Sequence, residues 1–178
     1  NVIGPRMDFI PGIDGEGVPR VLACFLAALL GGTPLPLVDG GAQRRSFVDV
    51  GEFTAAVLEV LRRREACRGE ILNLGNPQND LNIAELAAEL GAVFAARHGT
   101  TEPLRTVAVS AAELYGPGYD DVARRVPDIS KARRLLDRQP RRSLAAMLWN
   151  AACQWTSGSR WTPYTRRRRM VMGRRSGS

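Results

Sequence analysis

The stretch from Glu70 to Phe94, EILNLGNPQNDLNIAELAAELGAVF, constrains the fold more than any other part of this chain. Its first five residues read as a strand, and GNPQND supplies the turn residues of a loop. Asn82 then precedes Ile83, Leu86, Ala87, Leu90, Val93 and Phe94, which fall on one face of a helix. Glu85, three residues after Asn82, completes a capping box, so local hydrogen bonding sets where the helix begins. A strand handed by a loop to an amphipathic helix is the unit from which α/β proteins are built.

The rest of the chain repeats that alternation. Val2-Ile3 reads as the end of a strand stopped by the Gly4-Pro5 turn, and FIPGIDGEG at 9–17 as a loop. Val18, Leu22, Phe25, Leu26 and Leu29 form a helical stripe that ends at Gly31-Gly32. PLPLV (34–38) reads as a strand entering the turn Asp39-Gly40-Gly41, and Ser46–Val50 as a second strand. Residues 52–64 present Phe53, Ala56, Val57, Val60 and Leu61 as an inward helical face and finish in three arginines, which suit a helix C-terminus. A strand is expected at 105–109, a loop at YGPGYDD, and helices at 129–137 and 144–155, the last with Leu144, Met147, Leu148, Ala151 and Trp155 inward. The fold class expected is α/β.

Several function classes are disfavoured by composition. No apolar run approaches the ~18 residues that cross a membrane as a helix. Cys24, Cys67 and Cys153 are odd in number and far apart, which suits buried thiols in a reducing compartment, and a cytoplasmic location is expected. His98 is the single histidine and there is no Cys-x-x-Cys, so no zinc site is expected. The net charge of +7 belongs to the tail: residues 157–178 hold seven arginines and no acid, leaving 18 basic against 18 acidic residues elsewhere. Residues 1–155 are therefore read as the folded part and 156–178 as an Arg-rich, disordered tail that contributes nothing to the fold.

The usual engines of nucleotide chemistry are missing from these residues. Neither G-x-G-x-x-G nor G-x-x-x-x-G-K-[ST] occurs. Lys131, the single lysine, has Pro127 four residues before it, so no Tyr-x-x-x-Lys pair exists. What remains are arginines in Gly-rich loops: Arg6, Arg20, Arg44, Arg45 and Arg125. A planar guanidinium donates two parallel hydrogen bonds and so suits a diphosphate. Surface solvation is the plainer reading for any one of them.

Four motifs in order carry a family resemblance: NVIGPRMD, VDGGAQRRSFVDV, ILNLGNPQNDLNIAELA and YGPGYDDVARRVPDISKARRLL. Over about residues 1–150 the chain resembles the C-terminal, mostly substrate-binding portion of a Rossmann-type extended short-chain dehydrogenase/reductase. Order and spacing look closest to the UDP-glucuronic acid decarboxylase domain of the bifunctional polymyxin-resistance protein, with the UDP-xylose synthases next. The resemblance implies oxidation of a sugar C4 hydroxyl by NAD, then loss of carbon dioxide to give a UDP-4-keto-pentose, a precursor of aminoarabinose on lipid A. It implies that Asn1, Arg20, Arg45 and Tyr119 bind the UDP-sugar, Arg45 at its diphosphate, and that Arg125 is the catalytic general acid.

In this family the NAD-binding glycine loop and the Tyr/Lys pair lie ahead of the Asn-x-x-Gly-Pro-Arg motif. NAD is thus expected to be held mainly by an N-terminal half, these 178 residues to be inactive alone, and the complete enzyme to be a homo-oligomer. Two departures stand out: Pro36 replaces a lysine of the polymyxin-resistance branch, and Arg138-Gln139-Pro140 replaces a Trp-x-Pro. The alternatives are a non-catalytic UDP-sugar-binding remnant, or nucleic-acid or anionic-surface binding through the tail, where RRRR lies near Trp161 and Tyr164.

Overall fold

The computed structural model describes residues 1–4, 8, 20–118 and 121–156. Helices α1 (Val21–Gly31), α4 (Ile83–His98) and α7 (Leu144–Thr156) enclose the main core. Each begins or ends where the local chemistry demands. Asn82 Oδ1 accepts the Glu85 amide at 2.7 Å while Glu85 takes the Asn82 amide at 2.8 Å, the capping box expected. The α1 helix closes on Gly32 in the left-handed conformation, as the Gly31-Gly32 pair implies.

Phe25, Leu22 and Leu26 of α1 meet Leu86 and Leu90 of α4 and Met147 and Leu148 of α7, all essentially buried. Side chains of this size stabilise by ~1.5–3 kcal/mol each when fully buried, so this cluster dominates the fold. Trp155, expected inward on α7, has its side chain outside the described residues, as do Val18 of the α1 stripe and the whole 157–178 tail.

Three small sheets frame the helices. Strand β1 (Val2–Ile3) pairs in parallel with β4 (Val48–Asp49), and β2 (Leu35–Val38) in parallel with β6 (Thr106–Val109). Strand β3 (Arg44–Ser46) lies between β5 (Asp80–Asn82), antiparallel, and β7 (Arg124–Arg125), parallel. Gly4 follows β1 at a point where any Cβ would strike Val50, which explains a glycine there. Gly41 (φ +73°) ends the tight turn after β2, and its Cα faces the Ala84 amide at the start of α4.

Four expectations are corrected. Ser46–Val50 is not one strand: β3 ends at Ser46, β4 starts at Val48 in a different sheet, and Val50 already opens α2 (Val50–Arg62) under an Asp49 cap. Glu70–Leu74 forms no strand. It has no ladder partner among the described residues, and Ile71 is 86% exposed. The stripe on α2 buries only in part: Ala56 and Val60 pack against Cys67, Ala132 and Leu136, while Val57 and Leu61 face out. The loop expected from Tyr115 has that residue closing a short helix, α5 (Ala111–Tyr115), capped by Ser110 and Glu113.

Short α3 (Arg64–Cys67) and α6 (Ser130–Leu136) make a second cluster, Cys67, Ala132 and Leu136. Glu52 fastens the following segment by accepting the Arg141 and Arg142 amides at 2.6 and 3.0 Å. Among the described residues no helix is long and apolar enough to cross a membrane.

Candidate functional site

Strand β3 carries consecutive arginines, and the period-two geometry of a strand sends them to opposite faces. Strand β7 carries another such pair in parallel register, Arg44 opposite Arg124 and Arg45 opposite Arg125. Four guanidiniums so close need carboxylates, because like charges directly across a sheet destabilise it. Asp80 of β5 serves one face: its Oδ2 accepts Arg44 Nε at 3.3 Å and Arg124 Nε and Nη2 at 3.1 and 2.9 Å. Asp121 serves the other, paired with Arg45 and reached by Arg125 Nη2 at 3.5 Å.

The Arg45–Arg125 face opens into a cavity of about 250 Å³. Asn1 of the β1 entry, Arg20 just before α1, Gln43, Tyr115 of α5 and Asp121 complete its polar rim, over a floor that includes Phe47 and Ile83. Four of the five residues singled out by resemblance, Asn1, Arg20, Arg45 and Arg125, thus meet around one cavity although they lie up to 124 positions apart in the chain. Tyr119 lies outside the described residues.

The arginines differ in setting. Arg45 is 7% exposed, and its Nη1 donates to the carbonyls of Arg44 (2.7 Å) and Val122 (2.8 Å) besides the Asp121 pairing. It is built into the sheet, where the sequence alone suggested a loop arginine. Arg125 is two-thirds exposed and swings over the cavity on that single long contact. Arg20 pairs with Asp8 at 3.4 Å. Their fields converge on the α-amino group of Asn1: its pKa is lowered first by burial, then by Arg125, Arg20 and Arg45. Such a site favours a multivalent anion small enough to touch several guanidiniums.

Asp121, Gln43 and Tyr115 were not among the sequence candidates for the site. The signal for Asp121 was present, since it stands four residues before Arg125. Gln43 and Tyr115 carry no comparable signal, because only the packing of α5 and the β2–β3 turn brings them to the rim. Among the described residues no group of three or more His, Cys, Asp or Glu could hold a metal ion.

Comparison with known proteins agrees with this architecture. Residues 1–75 match the model of the NAD dependent epimerase/dehydratase family. The chain is 47% identical over 151 residues to UDP-D-apiose/UDP-D-xylose synthase 2 of Arabidopsis thaliana, covering 83% of this chain and 39% of that protein. It is 43% identical over 153 residues to UDP-D-apiose/UDP-D-xylose synthase of Oryza sativa subsp. japonica, covering 83% and 38%. It superposes on the crystal structure of the PbgP3 protein from Burkholderia pseudomallei with a TM-score of 0.67 and 27% identity, over 89% of this chain and 44% of that one. The chain therefore spans about two-fifths of the length of the curated relatives it matches. Residues 1–75 thus match the NAD dependent epimerase/dehydratase family, and the chain has the α/β Rossmann-type fold of that family's structures.

Proposed function

We propose that this chain forms the UDP-sugar-holding part of an NAD-dependent UDP-glucuronic acid decarboxylase. The observation that carries the reading is the convergence of Asn1, Arg20, Arg45 and Arg125 on one cavity from four separate stretches of sequence. UDP-glucuronic acid offers the matching anions, a diphosphate and a sugar carboxylate. The plant relatives, UDP-D-apiose/UDP-D-xylose synthases by name, support a pentose nucleotide as product.

The donors described fit one diphosphate and one carboxylate. No strand–Gly-rich turn–helix cradle for a dinucleotide occurs among the described residues, so they do not fit NAD. The substrate's own chemistry sets what the cavity must do. Once the sugar C4 hydroxyl has become a ketone, the carboxylate on C5 belongs to a β-keto acid. The C5–C6 bond breaks, carbon dioxide leaves, and the bonding pair enters the C4 ketone as an enolate. A proton delivered to C5 completes the UDP-4-keto-pentose, and reduction of that ketone would give the UDP-pentose. Arg45, buried and fixed, suits the diphosphate, which is unchanged through the reaction. Arg125, exposed and loosely held, suits the sugar end, where the charge of the carboxylate passes to the C4 oxygen as the enolate forms.

Binding is tested by titrating UDP-glucuronic acid, UDP and UMP into the protein by calorimetry. Affinity should fall in that order as the carboxylate and then the second phosphate are lost, and Arg20→Ala should weaken all three. Equal affinity for UMP and UDP would defeat the diphosphate assignment. In the full-length enzyme, product analysis separates a UDP-4-keto-pentose, as the lipid A route requires, from UDP-xylose or UDP-apiose.

A further inference from the structure

The two carboxylates of the β5–β3–β7 sheet do different work. Asp121 sits at the cavity. Asp80 lies on the opposite face, away from any proposed ligand, yet binds the arginines next in sequence to those that line the site. We propose that Asp80 is a positioning residue: by holding Arg44 and Arg124 together behind the sheet, it fixes the register that sets Arg45 and Arg125 side by side in front. This rests on the reading above that Arg125 acts on the sugar nucleotide.

The geometry makes the dependence specific. Strand β7 is two residues long and lies at the edge of its sheet, so its ladder hydrogen bonds alone hold it weakly. A slip of one residue turns every side chain to the other face. Slipped, β7 would point Arg125 away from the cavity. Against that slip stands a clasp of four hydrogen bonds. Asp80 Oδ2 takes two bonds from Arg124 and one from Arg44, and the Asp80 carbonyl takes Arg44 Nη2 at 2.8 Å. The Asp80 side chain is 10% exposed, so the carboxylate end of the clasp is buried while Arg124 stays largely in solvent. Asp80 itself is anchored by β5, opposite Ser46 of β3 and two residues before the Asn82 cap of α4. The front face is thus referred back to the capped start of α4.

The experiment compares Asp80→Asn, Arg124→Ala, Arg125→Ala and the double variant Asp80→Asn/Arg125→Ala in the full-length enzyme, measuring kcat, KM and melting temperature. Arg124 is two-thirds exposed, so its removal tests the clasp in a variant that folds. Asp80→Asn and Arg124→Ala should each lower kcat by about tenfold to 10²-fold, the scale of a misplacement near 1 Å. The double variant should match Arg125→Ala within about twofold, because Asp80 acts through Arg125. Effects of Asp80→Asn and Arg125→Ala that multiply would overturn the proposal, as would a lowered melting temperature with kcat unchanged in both clasp variants. An unchanged kcat in Arg125→Ala overturns the role of Arg125 and the proposal with it, whereas a loss in Arg125→Ala with none in either clasp variant overturns the positioning role alone.

Discussion

Asp121→Asn removes the carboxylate that faces Arg45 and, at 3.5 Å, Arg125 while nearly preserving volume, so its effect is chiefly electrostatic. The Arg45 side chain is 9% exposed and that of Asp121 is 26% exposed. Stripping one partner from a buried pair costs ~3–5 kcal/mol, and from an exposed pair under ~1 kcal/mol. Arg45 keeps its bonds to the Arg44 and Val122 carbonyls, and water reaches Asp121, so a loss of about 2–3 kcal/mol is expected. For a chain of this length that lowers the melting temperature by roughly 5–10 °C. UDP supplies a second, sharper readout. Its diphosphate would supply Arg45 with the negative charge that the asparagine lacks, so UDP should raise the melting temperature more in Asp121→Asn than in the parent protein. Differential scanning calorimetry with and without saturating UDP measures both. A melting temperature unchanged without ligand would refute the pairing energetics, and an equal UDP shift in the two proteins would refute the placement of the diphosphate beside Arg45.

Arg125→Ala should lower kcat in the full-length enzyme by about 10²-fold, the size typical of one general-acid or oxyanion group, and leave the melting temperature within about 2 °C, because a single exposed contact at 3.5 Å stabilises little; steady-state kinetics beside thermal melts checks the split. Arg45→Ala, by contrast, should both raise KM and destabilise, since the guanidinium is built into the sheet; a KM effect with no loss of stability would contradict its burial. Asn82→Ala should cost about 1 kcal/mol by opening the capping box of α4, measured as a lower urea midpoint at constant slope. Burial pushes the Cys24 thiol pKa up, and the negative charge of Asp8 adds to the shift. The thiol therefore stays protonated as pH rises through the ordinary cysteine range, and its alkylation by iodoacetamide should remain slow at pH 8.5 and accelerate only at higher pH; fast labelling of Cys24 by mass spectrometry at pH 8.5 would refute this.

The sequence alone determined the elements whose signals are local. The Asn82–Glu85 box, the glycine after α1, and the stripes of α1, α4 and α7 each act within four residues, so reading them needs no knowledge of the partner. The residues of the site were likewise legible as types, arginines beside turns, once their motifs were set against a family. What failed was whatever depends on pairing. EILNL has the residues of a strand but no neighbouring edge among the described residues to complete its hydrogen bonds. SFVDV alternates like one strand but serves two sheets, because Phe47 turns the chain between them. The α2 stripe has helical spacing, yet spacing cannot say that Ala56 and Val60 would be packed while Val57 and Leu61 stay exposed. Only the tertiary structure decided that Arg44 and Arg124 face Asp80 while Arg45 and Arg125 face the cavity. Side chains alternate along any strand, but which face becomes a site depends on register between strands 80 residues apart, and no pattern within a few residues can read a pairing at that separation.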